Sequence, residues 1–294
     1  MSRPDRVAWR FLAPNALGFL AFTLLPLGAS LALAFTHWSG ASLDPDDIRF
    51  AGLENFASML SARSDFWPAL WNTVFLMAGV PLGMALSLAF ALLLDRELPE
   101  RSFYRTIFFA PSVANIVAVC FVWELLFRFP DGLLDQGFAS LGLEPVAWLR
   151  DPFWAKPAFV FMGLWNGAGG VPMLVYLAAL QGVPKDLYEA SDVDGAGAVR
   201  KFRHVTLPHL VPASFFLFTM GVIHGFQGGF QAAFLMTGGG PMGSTTTLSY
   251  LIYREAYESY RFGSACAAAW LLFLLVLGAT ILNFRFQQKR GAYS

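Results

Sequence analysis

The sequence predicts an all-α integral membrane protein of about six transmembrane helices. The chain of 294 residues is 56% hydrophobic and only 14% charged, where a soluble domain carries roughly a quarter charged residues. Its mean hydropathy is +0.53. The apolar residues gather in runs near the roughly 20 residues that cross a bilayer core. The lysines and arginines are divided unequally among the loops between those runs.

The first run covers Phe11–Thr36. It follows Arg3, Arg6 and Arg10 as a signal peptide would, and Ala32-Leu33-Ala34 resembles a cleavage site. The run nevertheless exceeds the roughly 7–15 residues of a signal-peptide core, which predicts an uncleaved first helix. Five further spans are expected over Ala69–Leu94, Ile107–Phe127, Pro157–Leu180, Val211–Gly225 and Gly263–Phe284. Trp38, Trp67, Trp71, Trp148 and Trp154 lie near the expected outer ends, and Trp9 near the inner end of the first span. Indoles suit such interfaces because the ring is apolar and its N–H can stay wet.

Orientation follows from the basic residues. Arg3, Arg6, Arg10, Arg96, Arg101, Arg105, Lys185, Arg200, Lys201, Arg203, Arg285, Lys289 and Arg290 fall on one side. Arg49, Arg63, Arg128, Arg150, Lys156, Arg254 and Arg261 fall on the other, with acids such as Asp44, Asp46, Asp47, Asp131, Asp135 and Asp151. Thirteen against seven places both termini in the cytoplasm.

Several chemistries lack their residues. No Gly-Lys pair exists, so the chain has no phosphate-cradling loop and any ATP belongs to another polypeptide. The four histidines are scattered, no nucleophile elbow or H-E-x-x-H occurs, and the zero formal net charge gives no case for nucleic acid. Cys120 and Cys266 have no metal or redox spacing and read as packing residues. Glu124 is the one acid near membrane depth; beside Trp123 at the end of the third span it reads as an outer-interface residue exposed to water rather than an ion relay. An enzyme is not expected.

The most structured polar stretch, Glu189–Pro208, lies between the fourth and fifth spans and so faces the cytoplasm. Pro184 suits a helix start, and Lys185–Asp192 reads as a short helix. Gly195 allows a sharp break. A second helix is expected from Asp194, acting as its cap, to about Thr206, stopping before Pro208. Phe202 would face the membrane domain and the Asp194–Gly195 corner would be exposed. By itself the stretch could equally be an ordinary solvated loop.

E-A-S-x-x-D-G-A followed by F-x-x-V-T-L-P resembles the coupling motif of ABC importer permeases, the membrane subunits of ATP-driven importers. In that family the loop docks into a cleft of the ATPase. Glu189, Ala190, Asp194, Gly195, Ala196, Phe202, Leu207 and Pro208 match position for position, while Ser191 stands where the family usually has alanine. Leu180–Pro184, Met236–Pro241 with Thr245–Thr247, Gly52–Phe56 and Trp71-Asn72-Thr73 resemble segments of carbohydrate permeases, closest to the first permease of sugar and glycerol-phosphate systems. An extra residue between Trp165 and Glu189, and Gly228-Gly229 where one residue is usual, depart from the pattern where the substrate path runs.

The resemblance implies a type I ABC importer permease fold, with the path lined by the fourth and fifth spans. Asn166, Tyr176, His224, Phe226, Gln227, Phe230 and Gln231 are the groups there that could hold a polyol through amides and aromatic faces. Interhelical hydrogen bonding is the other use of such side chains, and the sequence leaves both readings open. Gly167–Gly170 and Gly225–Gly229 would permit either a broken helix or close helix contact, and membranes tolerate irregular backbone around a cavity.

The division implied is 1–66 for the tail, first helix and first outer loop, 67–284 for the transmembrane domain with its coupling loop at 184–208, and 285–294 for a cytoplasmic tail. The expected setting is a bacterial inner membrane. The partners implied are a second permease, an ATP-binding subunit dimer and an extracytoplasmic binding protein, in contact with lipid. No cofactor belongs to this chain, ATP and Mg being held by the ATPase. The expected cargo is a sugar or related polyol. Amino-acid or peptide uptake, and an ion-coupled carrier working alone, are the alternatives.

Overall fold

The computed structural model describes residues 3–40, 44, 47–96 and 99–288, with side chains over 11–286 of these. Asp46, Lys289, Arg290 and the side chains of Arg3, Arg6, Trp9 and Arg10 lie outside the described residues. In chain order the elements are α1 (Arg3–Phe19), α2 (Leu25–Ala34), β1 (Thr36–His37), β2 (Arg49–Phe50), α3 (Glu54–Leu60), α4 (Phe66–Met77), α5 (Gly79–Asp95), α6 (Arg101–Val113), α7 (Ile116–Leu126) and α8 (Leu133–Ser140). Then follow α9 (Pro152–Gly167), α10 (Val171–Gln181), α11 (Lys185–Val193), α12 (Ala198–Lys201), α13 (Leu207–Gln227), α14 (Phe230–Ala232), α15 (Leu248–Tyr253) and α16 (Phe262–Gln288). Wide π-helical turns at Leu20–Leu24, Phe202–Thr206, Ala233–Thr237 and Arg254–Glu258 join or extend these helices.

Among the described residues, four helical runs are long and apolar enough to cross a membrane: Phe11–Ala34, Phe66–Asp95, Ala198–Thr237 and Phe262–Phe286. Two bent pairs, α6 with α7 at 93° and α9 with α10 at 49°, bring the number to six if each pair is one span.

The chain forms two compact units. The first comprises Met1–Trp67 and Leu251–Leu274. In it β1 and β2 pair antiparallel, Thr36 opposite Phe50. The buried Asn55 donates from Nδ2 to the carbonyls of Ala34 and Thr36, both at 2.9 Å. Those carbonyls lie at and just past the end of α2, where a helix leaves them without intrahelical partners. Trp270 Nε1 of α16 donates to Ser30 Oγ of α2 at 3.3 Å. Glu255, 4% exposed, accepts from Arg261 at 2.7 Å through Oε1, which offsets part of the cost of burying its charge.

The second unit comprises Pro68–Tyr250 and Leu275–Ser294. Here α5 packs along α10, and α13 against both, over a core that includes Ala91, Leu94, Met173, Leu177 and Leu210. Small residues let these backbones approach: a Cβ on Gly221 would meet Val80 at 2.5 Å and one on Gly225 would meet Met77 at 2.8 Å.

Two expectations about elements are corrected. The third span is not one helix. Pro111 removes a backbone donor near the end of α6, and Asn115 caps a new helix by accepting from Val117 N–H at 2.9 Å. The helix expected to stop before Pro208 runs through it to Gln227. The π-turn at Phe202–Thr206 closes with Leu207 N–H on the Phe202 carbonyl, so the ladder is already re-phased where Pro208 has no N–H to give. The last helix, α16, continues to Gln288.

Candidate functional site

Two places in the second unit gather the residues singled out by sequence. The first is the polar hairpin α11–α12. Its corner is a Schellman-type closure: Ala196 N–H donates to the Ser191 carbonyl at 2.9 Å and Gly195 N–H to the Asp192 carbonyl at 3.0 Å. Gly195 takes φ +67°, the left-handed region glycine enters freely. Asp194 therefore ends the first helix instead of capping the second, which begins at Ala198 after Gly197 and has no side-chain cap. Lys201 pairs with Asp192 across the hairpin, and Tyr188 OH meets Thr206 Oγ1 at 2.9 Å. The hairpin is thus braced internally, while Glu189, Ala190, Asp194 and Gly195 are exposed and Ala196 and Phe202 half-buried. Leu207 and Pro208 lie exposed in the first turn of α13. Val193 and Val199 stand 89% and 81% exposed beside the corner, an apolar rim on a charged surface.

The second place is a cavity of about 520 Å³ set where two helices break. One break separates α9 from α10 at Ala168–Gly170; the other separates α13 from α14 at Gly228–Gly229. Breaking a helix frees backbone carbonyls, and side chains take them up. Ser87 of α5 donates to the Ala168 carbonyl at 2.7 Å, and Ser249 of α15 to the Gln227 carbonyl at 2.9 Å. Of the two uses the glycine clusters allowed, both clusters lie at a helix break, and both contribute lining residues.

Of the seven expected path residues, Asn166, His224 and Gln231 line the cavity. The Asn166 amide oxygen is buried with no hydrogen-bond partner among the described residues, which suits it to a hydroxyl donor. The other four do not line it. Tyr176 is 2% exposed in the α5–α10–α13 core, where its hydroxyl donates to Ser214 at 3.1 Å. On α13 the lining stripe is Leu217, Gly221, His224 and Gly225, at helical spacing; Phe226 and Gln227 fall off it, Phe226 into packing at 7% exposure. Phe230 stacks on Phe234 with centroids 5.6 Å apart. Sequence reasoning missed Gly79, Gly83 and Ser87, which line the cavity from α5. Their spacing of four was the available signal.

Two of the carbohydrate-permease-like segments meet beside the cavity. Asn72 donates to the carbonyls of Gly243 at 2.8 Å and Thr246 at 3.0 Å, and Thr73 Oγ1 accepts from Leu248 N–H at 3.0 Å. Thr245 and Thr247 are fully buried. Asn72→Ala should lower stability by about 2 kcal/mol, since it deletes two hydrogen bonds, one of them to the buried Thr246 carbonyl; thermal unfolding in detergent reads the shift.

Glu124 is half-buried and lines a separate cleft with Arg128 and Arg150. Trp148 packs among Phe127, Phe138 and Trp154. It is therefore part of a loop core, whereas Trp71, 64% exposed, keeps the free surface of an interfacial anchor.

The family model described as binding-protein-dependent transport system inner membrane component matches residues 79–291. The sn-glycerol-3-phosphate transport system permease protein UgpA of Pectobacterium atrosepticum is 33% identical over 303 residues, covering 99% of each chain. The trehalose/maltose transport system permease protein MalF of Thermococcus litoralis is 33% identical over 292 residues, 98% of this chain and 96% of that one. A solved bacterial ABC transporter involved in import of the acidic polysaccharide alginate superposes with a TM-score of 0.84 at 25% identity, covering 98% of this chain and 96% of that one. With broken helices around a cavity and this match over most of its length, the chain belongs to the inner-membrane permease family of binding-protein-dependent ABC transport systems.

Proposed function

We propose that this chain is one of two permease subunits of an ATP-driven importer for a sugar or related polyol. The observation that carries the reading is the cavity between the two helix breaks, about 520 Å³ and presenting Asn166, His224 and Gln231. That size falls in the usual range for small-ligand sites, and amides suit hydroxyl-rich cargo. The relatives named for trehalose/maltose and sn-glycerol-3-phosphate transport support the same class.

The hairpin at 185–201 would seat in a separate ATPase, two copies of which hold the ATP and Mg. A second permease completes the path, and an extracytoplasmic binding protein delivers the cargo. Both termini face the cytoplasm in this reading, which the thirteen-to-seven division of basic residues supports. Glu189, Ala190, Asp194, Gly195 and Ala196 form the contact, with Phe202, Leu207 and Pro208 at its root. Because α12, the π-turn and α13 are one helical run from Ala198 to Gln227, movement at the hairpin reaches His224 and the second break without a joint.

The test is uptake into liposomes holding the four-component complex with ATP inside. A labelled sugar or polyol should accumulate only with ATP and binding protein present, and amino acids should not compete. Transport by this chain alone, without ATP, would overturn the proposal in favour of a carrier.

A further inference from the structure

The second unit contains another cleft, of about 670 Å³, whose walls bring together Phe121, Glu124, Arg128, Phe129, Arg150 and Thr237. It lies at the end of the helices opposite the hairpin, because Arg150 precedes α9 and the hairpin follows α10. The cleft and the inner cavity share two elements. On α7, Ile116 lines the inner cavity and Glu124 the cleft, a separation of about 12 Å along the helix. On the segment from α14 through the following π-turn, Gln231 lines the cavity and Thr237 the cleft. The two spaces therefore stand in series.

The charges in this cleft are unspent. Among the described residues neither Glu124, Arg128 nor Arg150 is in an ion pair. They sum to one net positive charge. The loops that carry the arginines are held in place: Gly132 N–H donates to the Arg128 carbonyl at 2.7 Å and Arg150 N–H to the Ala147 carbonyl at 3.0 Å. The buried Asp135 accepts from Val146 N–H at 3.2 Å, fixing the loop just before Arg150.

We propose that this cleft is a receiving subsite for an anionic, hydroxyl-rich solute, a sugar bearing one carboxylate or phosphate. The proposal rests on the carbohydrate reading above and narrows it. A guanidinium binds either group through paired N–H donors. The Glu124 carboxylate accepts from hydroxyls, and the rings of Phe121 and Phe129 offer apolar faces to sugar C–H groups. One net positive charge matches one anionic group, which would be held here before passing along α7 to the inner cavity.

The test is ligand-observed NMR titration of the purified transporter, without binding protein or ATP, using glucuronate, glucose 6-phosphate and glucose. Both anions should bind more tightly than glucose, and the tighter of the two identifies the anionic group the cleft suits. The double variant Arg128→Gln/Arg150→Gln should weaken the preferred anion about tenfold and leave glucose unchanged. Glu124→Gln should tighten the anion about threefold, because it removes a like charge; a merely structural carboxylate would not do so. Should the double variant fail to fold, Glu124→Gln decides alone. Equal binding of glucuronate, glucose 6-phosphate and glucose to the unaltered protein overturns the subsite. It is also overturned if no small anion binds while Arg150→Glu weakens capture of the binding protein, since the arginines then serve docking. Binding is read without transport, so a wild-type complex that imports no sugar would defeat the functional reading and leave this measurement standing by itself.

Discussion

Asp194→Arg is expected to bring ATP-driven uptake to background while the protein still inserts, folds and binds cargo. Asp194 ends α11 at an exposed corner, and its structural part is played by the backbone: its N–H donates to the Ala190 carbonyl at 3.1 Å. Among the described residues its carboxylate is in no ion pair. The corner itself is closed by Gly195 and Ala196 N–H groups and braced by the Lys201–Asp192 pair. An exposed change of this kind costs within about 0.5 kcal/mol of stability. Reversing a charge inside a protein interface instead costs several kcal/mol, enough to abolish docking. The measurement pairs uptake and complex assembly with thermal unfolding. Uptake at the unaltered rate would remove the hairpin from the coupling role.

The largest structural effect is expected at Gly169. A Cβ there would lie 1.9 Å from the Phe108 carbonyl oxygen and 2.6 Å from its carbon, and both are backbone atoms that no rotamer change can move. Gly169→Ala must therefore push α6 away from the α9–α10 break. Overpacking typically costs about 1–3 kcal/mol, and the rigid neighbour here sets the upper end or beyond. The stacked Phe90–Phe108 pair, with centroids 4.6 Å apart, would separate with it. Gly167→Ala is the control. Among the described residues no neighbouring element comes within 4 Å of its would-be Cβ, and in the last turn of α9 alanine should be neutral or favourable by up to about 1 kcal/mol. Detergent melting curves of the two variants should move apart, Gly169→Ala downward; equal curves would mean the break is looser than its geometry.

The positions of the spans were legible because a membrane-crossing run must be long and apolar whatever it packs against. The expected first, second and sixth spans each fall within a few residues of the helical runs Phe11–Ala34, Phe66–Asp95 and Phe262–Phe286. The hairpin corner was legible in Gly195, whose positive φ is a local requirement. Local signals failed where a competing group lay nearby in space or one turn along the chain. Pro208 reads as a stop, but the π-turn before it removes the demand for its N–H. Asp194 reads as a cap, but the Schellman closure places it at the end of the preceding helix.

The path residues show the same division. Asn166, Tyr176, Gln227 and Gln231 are alike as polar residues in apolar runs, and composition cannot separate them. Tyr176 is taken by Ser214 from α13, while Asn166 is left facing the cavity.

The sequence by itself determined the membrane class, the positions of the long apolar runs, the family motif and the glycine clusters where a helix is free to break, because each depends on hydrophobic length or backbone freedom within one segment. Only the tertiary structure decided which polar groups face a cavity, which carbonyls freed by the breaks are met by Ser87 and Ser249, and that Arg128, Arg150 and Glu124 share one cleft. Those outcomes depend on helix rotation and on partners far away in sequence, and a side chain's chemistry says what it can bind without saying what stands opposite it.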